Sequence, residues 1–363
     1  MPSSTSPTFL GLDVHKNTIS AGILRPGDDV PDVERISSDP DAVRRLITRL
    51  GNPRRVRACY EAGPTGYDLC RMLEAMGVSC AVIAPTLIPT APGDRVKTDS
   101  RDCRRLARLH RAGELVAIRV PSVAEEAVRD LCRARADMVI DRTRARHRLG
   151  KFLLRHGRIW RDGDNWTMKH EAWIAAQRFD DPALDATFAH YRATMSAREA
   201  AVTSIDADLA RWFTKAPFAP TVARLCAYRG ITHLGALNLA AEVCDWRRFA
   251  TAGTFMAFCG LTPSEHSSGE KTRRGHITHA GNVHLRTQLV ESAWAYKSRA
   301  AVGVELRRRQ EGLDPAVVAR AWTAQVRLCG RFRRLDERKT NRNIVVTAIA
   351  RELSGFVWAE MIA

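Results

Sequence analysis

From Leu184 to Trp212 the chain carries one unbroken stripe: Leu184, Phe188, Tyr191, Met195, Arg198, Val202, Ile205, Leu209 and Trp212, in steps that alternate four and three. Only a long helix keeps such a stripe on one face, because a strand turns successive residues to opposite faces. A second stripe, Ala127, Leu131, Ala134, Met138, Asp141, Ala145, Leu149 and Phe152, nearly repeats the first. Matched residue numbers sum to 339 or 340, so an antiparallel hairpin pairs the two stripes and sets Asp141 opposite Arg198. A polar layer of that kind fixes register at some cost in stability. Two amphipathic helices packed on separate neighbours would carry the same pattern. Between the stripes, 156–182 holds Trp160, Trp166 and Trp173 and reads as a tip or an inserted subdomain.

The segment before this arm follows a different period. "TFLGLDVHKNTISAGIL" reads as two strands joined by a tight polar turn, with Asp13 ending the first apolar run. A third strand is expected near 32–37 and a helix at 40–50. "RVRACYEAGPTGYDLCRML" is a buried strand ending at Glu61, a Gly-Pro turn and a helix; "VSCAVIAP" is a short strand stopped by Pro85. "KTDSRDCRRLARLHRAG" is a helix with Asp99 and Asp102 in its first turn. The alternation predicts an α/β layer over 1–113. The boundaries then fall at a helical arm over 114–215 and a mostly helical domain over 216–363.

Asp13 and Glu61 each end an apolar strand, and Asp99 and Asp102 lie three apart on one helix face. Each alone reads as a turn, capping or solvated acid. Four carboxylates converging on one point repel unless a divalent cation holds them, and hard oxygen ligands suit Mg²⁺ or Mn²⁺. The order strand-1 Asp, strand-4 Glu, final-helix D-x-x-D matches a ribonuclease-H-like nuclease core, in which paired metal ions stabilise phosphoryl displacement. The same first hairpin also resembles the phosphate loop of sugar-kinase and actin-like ATPases, but the further Gly-rich nucleotide loops of that fold are missing from the sequence.

Charge points to the partner. Fifty-seven Lys and Arg against forty Asp and Glu leave +17 over 363 residues, which favours nucleic acid well ahead of an anionic membrane surface. Residues 1–113 hold seventeen basic and thirteen acidic groups, whereas 266–342 hold seventeen and seven. Nine cysteines without a C-x-x-C pair read as small buried hydrophobes of a reducing compartment. With no long apolar run and no signal pattern, a cytoplasmic location is expected.

The excess charge of 266–342 lies around and beyond "EHSSGEKTRRGHITHAGNVHLR", residues 265–286. Gly269, Gly275 and Gly281 permit close approach of another backbone. Lys271, Arg273, Arg274 and Arg286 can hold phosphates. Ser267 and Ser268 precede the first glycine, and a serine there needs a base, a metal or charge stabilisation to attack. On these residues alone a phosphate-binding loop without covalent chemistry explains as much. His266, His276, His279 and His284 lack a closed zinc ligand set. Upstream, "RGITHLGALNLAAE" resembles a helix-hairpin-helix whose turn at Gly230 presents backbone N–H groups to a phosphate.

"GLDVHKNTIS", "YEAGPTGYDL", "DRVKTDSRDCRRLA" and "GLTPSEHSSGEKTRRGHITHAGNVHLRTQL" together resemble the DEDD-type serine transposases of bacterial insertion sequences, relatives of Piv-like DNA invertases and members of an RNA-guided recombinase family. The resemblance spans essentially the whole chain with no departure at a motif position. It implies a RuvC-like domain whose tetrad is Asp13, Glu61, Asp99 and Asp102 with Mg²⁺ or Mn²⁺, and a transposase domain whose nucleophile is Ser268. It further implies donor and target DNA as substrates, a structured guide RNA, and a homodimer or higher oligomer combining the acidic site of one subunit with the serine of another. A RuvC-like hydrolytic nuclease and a non-catalytic nucleic-acid-binding protein are the two alternatives.

Overall fold

Alternation along the first apolar run decides the amino-terminal architecture. The computed structural model describes residues 6–89, 98–265, 274–338 and 341–363. Strands β1 (Thr8–Val14), β2 (Thr18–Leu24) and β3 (Asp32–Ser37) form an antiparallel meander. Helix α1 (Pro40–Arg49) follows, then β4 (Val56–Glu61), α2 (Asp68–Ala75), β5 (Ser79–Ile83) and α3 (Asp99–Ala112). The sheet order is β3-β2-β1-β4-β5, with β4 parallel to both β1 and β5. This mixed α/β layer agrees with the expectation for 1–113 and is compatible with a ribonuclease-H-like domain. The strand near 32–37 and the helix at 40–50 stand where the sequence placed them. Asp39 caps α1, accepting the Asp41 and Ala42 amides at 2.9 Å.

On β1 the even residues Leu10 and Leu12 enter a core with Ile19, Leu46, Ile47 and Leu73. The odd residues face α3. Gly11 pairs with Gly22 across β1 and β2, and the helix backbone lies on that pair. A Cβ on Gly11 would stand 2.3 Å from the Cys103 carbonyl oxygen and 2.4 Å from the Ala107 nitrogen; one on Gly22 would stand 2.5 Å from the same oxygen. Phe9 meets His110 edge-on at 5.4 Å. Helix α3 therefore runs antiparallel to β1, which brings its first turn to the Asp13 end of the strand.

The chain divides into two compact units, Met1–Val120 and Pro121–Ala363. In the second, α4 (Val123–Arg155) starts at a Ser122–Glu125 capping box. It is followed by α5 (Met168–Ala176) and α6 (Pro182–Ala210). Helices α4 and α6 pack as an antiparallel hairpin, tied by ion pairs Arg135–Asp206 and Arg146–Glu199. The distal half keeps the predicted seam, with Ala145, Leu149, Phe152, Phe188 and Met195 buried together. The Phe152 and Phe188 rings meet at 6.4 Å as the sequence pairs them, but the polar layer differs. Asp141 pairs with Arg144 on its own helix at 3.2 Å, and Arg198 is exposed. At the base of the arm α4 also packs against α8. There Val128 and Cys132 are buried, Leu131, Ala134 and Met138 pack partly buried on the same core, and of the expected stripe only Ala127 is exposed.

Beyond the arm come α7 (Ala219–Cys226), α8 (His233–Val243), α9 (Ala252–Phe258), the two-stranded β6 (Pro263–Glu265) and β7 (Arg274–Ile277), and α10 (Val283–Ala293). Helices α11 (Val304–Gln310), α12 (Pro315–Glu337) and α13 (Arg342–Ile362) complete the chain. Their core is continuous with the base of the arm, joining Val128, Cys132, Ile205 and Leu209 to Val222, Leu237, Leu289 and Ile349. Within it Glu360, wholly buried, accepts hydrogen bonds from Arg320 Nε at 2.7 Å, Arg224 Nε at 2.8 Å and the Tyr228 hydroxyl at 3.1 Å. Seven of the nine cysteines are buried and none is bonded to another. Among the described residues no helix is long and apolar enough to cross a membrane.

Candidate metal centre

Because side chains alternate along β1, the strand and the turn after it project Phe9, Gly11, Asp13 and His15 toward one face. The His15 amide donates to the Thr18 carbonyl at 2.9 Å, fixing the turn that carries the imidazole. His15 Nε2 stands 3.4 Å from Asp13 Oδ2 and 3.6 Å from Asp99 Oδ1. One ligand atom from each of Asp13, His15 and Asp99 lies within 4.8 Å of the others. Sequence reasoning passed over His15, although its parity with Asp13 was legible in "LDVHK".

Asp99 is the first residue of α3, but it is not the cap. Thr98 takes that role, accepting the Arg101 amide at 3.4 Å. The Asp99 carboxylate is therefore free to face β1, where the positive end of the helix favours negative charge. One turn on, Asp102 has its Oδ1 3.7 Å from an Arg105 amine. The Asp13 carboxyl is raised above its ordinary value, first by burial, then by the charges of Asp99 and Asp102, while His15 opposes both.

Glu61 enters from the neighbouring strand. The parallel register sets Leu12 beside Tyr60, so one further step brings Asp13 beside Glu61. Both line a cavity of about 900 Å³ at the carboxyl ends of β1 and β4, together with His15, Lys16 and Asp68. Its far wall is the 62–66 turn, held by the Tyr60 hydroxyl on the Gly66 carbonyl at 3.0 Å. Glu61 thus shares the cavity without joining the three-residue group.

The cationic loop sits in the second unit. Ser267, Ser268, Lys271 and Arg273 lie outside the described residues, as does the Arg274 side chain. Its stems are described, and they are braced. Arg286, expected on a phosphate, donates through one amine to the Cys259 carbonyl at 3.2 Å and the His279 carbonyl at 3.3 Å, joining the two stems. Asn282 caps α10 and donates its amide to Glu242 at 2.6 Å. Glu242 is buried and gripped by Arg133 at 2.7 and 2.9 Å. Burial alone would raise the Glu242 carboxyl, yet Arg133 and Asn282 outweigh it and hold the group ionised. Gly230, expected to offer its backbone to a phosphate, has φ +83° and packs on α10. A Cβ there would stand 2.2 Å from the Ser292 carbonyl oxygen, so internal packing accounts for this glycine.

A model of transposases of the IS116/IS110/IS902 family matches residues 222–306. A second model, of the DEDD transposase of the IS110 group, matches residues 10–157. The chain is 40% identical over 354 residues to the y4qE protein of Sinorhizobium fredii, covering 97% of this chain and 87% of that one. It is 31% identical over 338 residues to the transposase for insertion sequence element IS1533 of Leptospira borgpetersenii, covering 91% and 97%.

Proposed function

The chain belongs to the IS116/IS110/IS902 family of transposases and is an enzyme acting on DNA; we propose that it cuts a DNA strand at the acidic centre and rejoins it through Ser268. The observation that carries the metal-dependent half is the convergence of Asp13, His15 and Asp99, with Asp102 close enough to raise Asp13. Oxygen donors whose mutual repulsion disfavours ionisation suit a hard divalent cation. Asp13, Glu61, Asp99 and Asp102 are the residues that would hold Mg²⁺ or Mn²⁺. Bound there, the cation would offset charge that builds on phosphoryl oxygens during displacement.

The chain's own groups do the rest. The cavity beside Asp13 and Glu61 receives the strand, with Lys16 at its wall for a phosphate. In this reading the Ser268 oxygen bonds to phosphorus as one phosphodiester bond breaks, and the reverse exchange rejoins DNA without ATP. Support for the serine comes from its cationic surroundings in sequence and from the braced stems on both sides of the loop. A structured guide RNA and a composite site built from two subunits belong to the same proposal, and the +17 charge accommodates both. A second reading, hydrolysis by water with Ser268 binding phosphate only, is favoured by the acidic cluster itself. A denaturing gel after incubation with DNA separates them. Ser268→Ala should bind DNA but form no covalent protein–DNA band; free nicks without any band from the unaltered chain would establish hydrolysis.

A further inference from the structure

The tip of the arm holds the densest run of positive charge. From Arg142 to Arg161 there are eight Lys and Arg and no acidic residue. Arg144, Arg148, Lys151 and Arg155 recur at helical spacing and share one exposed face of α4. Arg144 is paired with Asp141. Among the described residues, Arg148, Lys151, Arg155, Arg158 and Arg161 have no carboxylate within ion-pairing distance.

Beside this stripe lies a pocket of about 300 Å³, walled by Trp160, Trp166 and Trp173 and rimmed by Lys151, Arg158 and Asn165. Packing explains two of the indoles. Trp166 and Trp173 rest on the small core of Ala145, Leu149, Phe152, Leu153 and Ile174. Trp160 is not part of that core. Its Nε1–H donates to the Gly163 carbonyl at 3.0 Å, and its ring is held 5.7 Å from Trp173 and 5.5 Å from His170. An indole fixed in place, half-exposed and beside unneutralised cations is what a stacked base and its phosphates require.

We propose that the arm tip binds unpaired nucleotides, one base lying against Trp160 in the pocket while Lys151, Arg158 and Arg148 hold neighbouring phosphates. A base still stacked in duplex DNA cannot enter, so the site reads single strands by stacking and charge, not by sequence. It does not depend on which nucleophile the acidic centre uses.

The test measures binding of short oligouridylate, oligothymidylate and a blunt duplex of equal length to the full chain. Trp160→Ala should weaken single-strand binding roughly five- to a hundredfold and leave duplex binding unchanged. A larger loss with oligouridylate identifies RNA as the source of the strand, and a larger loss with oligothymidylate identifies DNA. The double variant Arg148→Gln/Lys151→Gln should lower the slope of log affinity against log salt by about 1.4, at about 0.7 per lost phosphate contact on a single strand. Should Trp160→Ala disturb the tip, photocross-linking of an iodouridine oligomer to the unaltered chain decides, with adducts expected within 158–173. Adducts confined to other segments, or equal losses for single strand and duplex, would overturn the proposal.

Discussion

Replacing Gly11 with alanine should damage the acidic centre without touching a carboxylate. The added Cβ would lie 2.3 Å from the Cys103 carbonyl oxygen and 2.4 Å from the Ala107 nitrogen, both backbone atoms of α3. Ordinary contact begins at 3.4 Å, so the helix must retreat by about 1.1 Å. No flexible side chain can absorb that movement. Overpacking of this kind typically costs about 1–3 kcal/mol. The larger consequence is positional, because the retreating helix carries Asp99 and Asp102 away from Asp13. A misplacement of about 1 Å costs on the order of a hundredfold in rate when groups must act together. Titration calorimetry with Mn²⁺ should therefore show weakened binding, DNA cleavage should fall by about that factor, and the melting temperature should drop. Gly22→Ala should act in the same direction, its clash being 2.5 Å against the same carbonyl. Gly330→Ala is the control: it lies within α12 with no atom near its Cβ position and should be neutral or stabilise by up to about 1 kcal/mol. A Gly11→Ala protein with unchanged melting, Mn²⁺ affinity and cleavage would refute the account of α3 seated on the glycine pair.

Asp13→Ala, Glu61→Ala and Asp102→Ala should abolish cleavage while the metal-free protein melts no lower than before, since each removes a carboxylate from a mutually repelling set; full strand transfer by any of them would sink the metal assignment. Glu360→Ala should cost about 1–3 kcal/mol in chemical denaturation, because Arg224, Arg320 and Tyr228 would lose their shared buried acceptor while the two part-exposed guanidinium groups stay solvated. Burial alone would raise the Glu360 carboxyl, but Arg320 and Arg224 outweigh it and hold it below the ordinary 4.5. Its contribution is thus complete above about pH 4.5 and lost as pH falls through the lowered value, so the unaltered chain should lose stability in acid more steeply than Glu360→Gln. In the arm, a double-mutant cycle on Arg146 and Glu199 should show coupling of about 0.5 kcal/mol or more, and one on Asp141 and Arg198 should be additive; the reverse result would restore the Asp141–Arg198 layer read from the sequence.

Local pattern in the sequence determined a good deal about this protein. Apolar runs closed by turn residues located β1, β2 and β4, and the helical pattern of "KTDSRDCRRLARLHRAG" placed Asp99 and Asp102 in a first turn. The three- and four-residue steps located both helices of the arm, since period is a property of one segment and needs no partner. Tertiary structure decided what period cannot encode. The arm's expected polar layer does not form, because Asp141 pairs with Arg144 on its own helix, and at the base, where α4 also packs on α8, Arg133 is drawn to Glu242. Arg286 and Gly230 look like phosphate-binding residues in isolation, yet hydrogen bonds and close packing from distant segments claim them. His15 joined the acidic centre only when β1 and α3 met across Gly11 and Gly22, an approach set by backbone contact between residues some ninety positions apart. A sequence states which face a side chain takes along its own element; the distance between two faces is settled by everything packed between them.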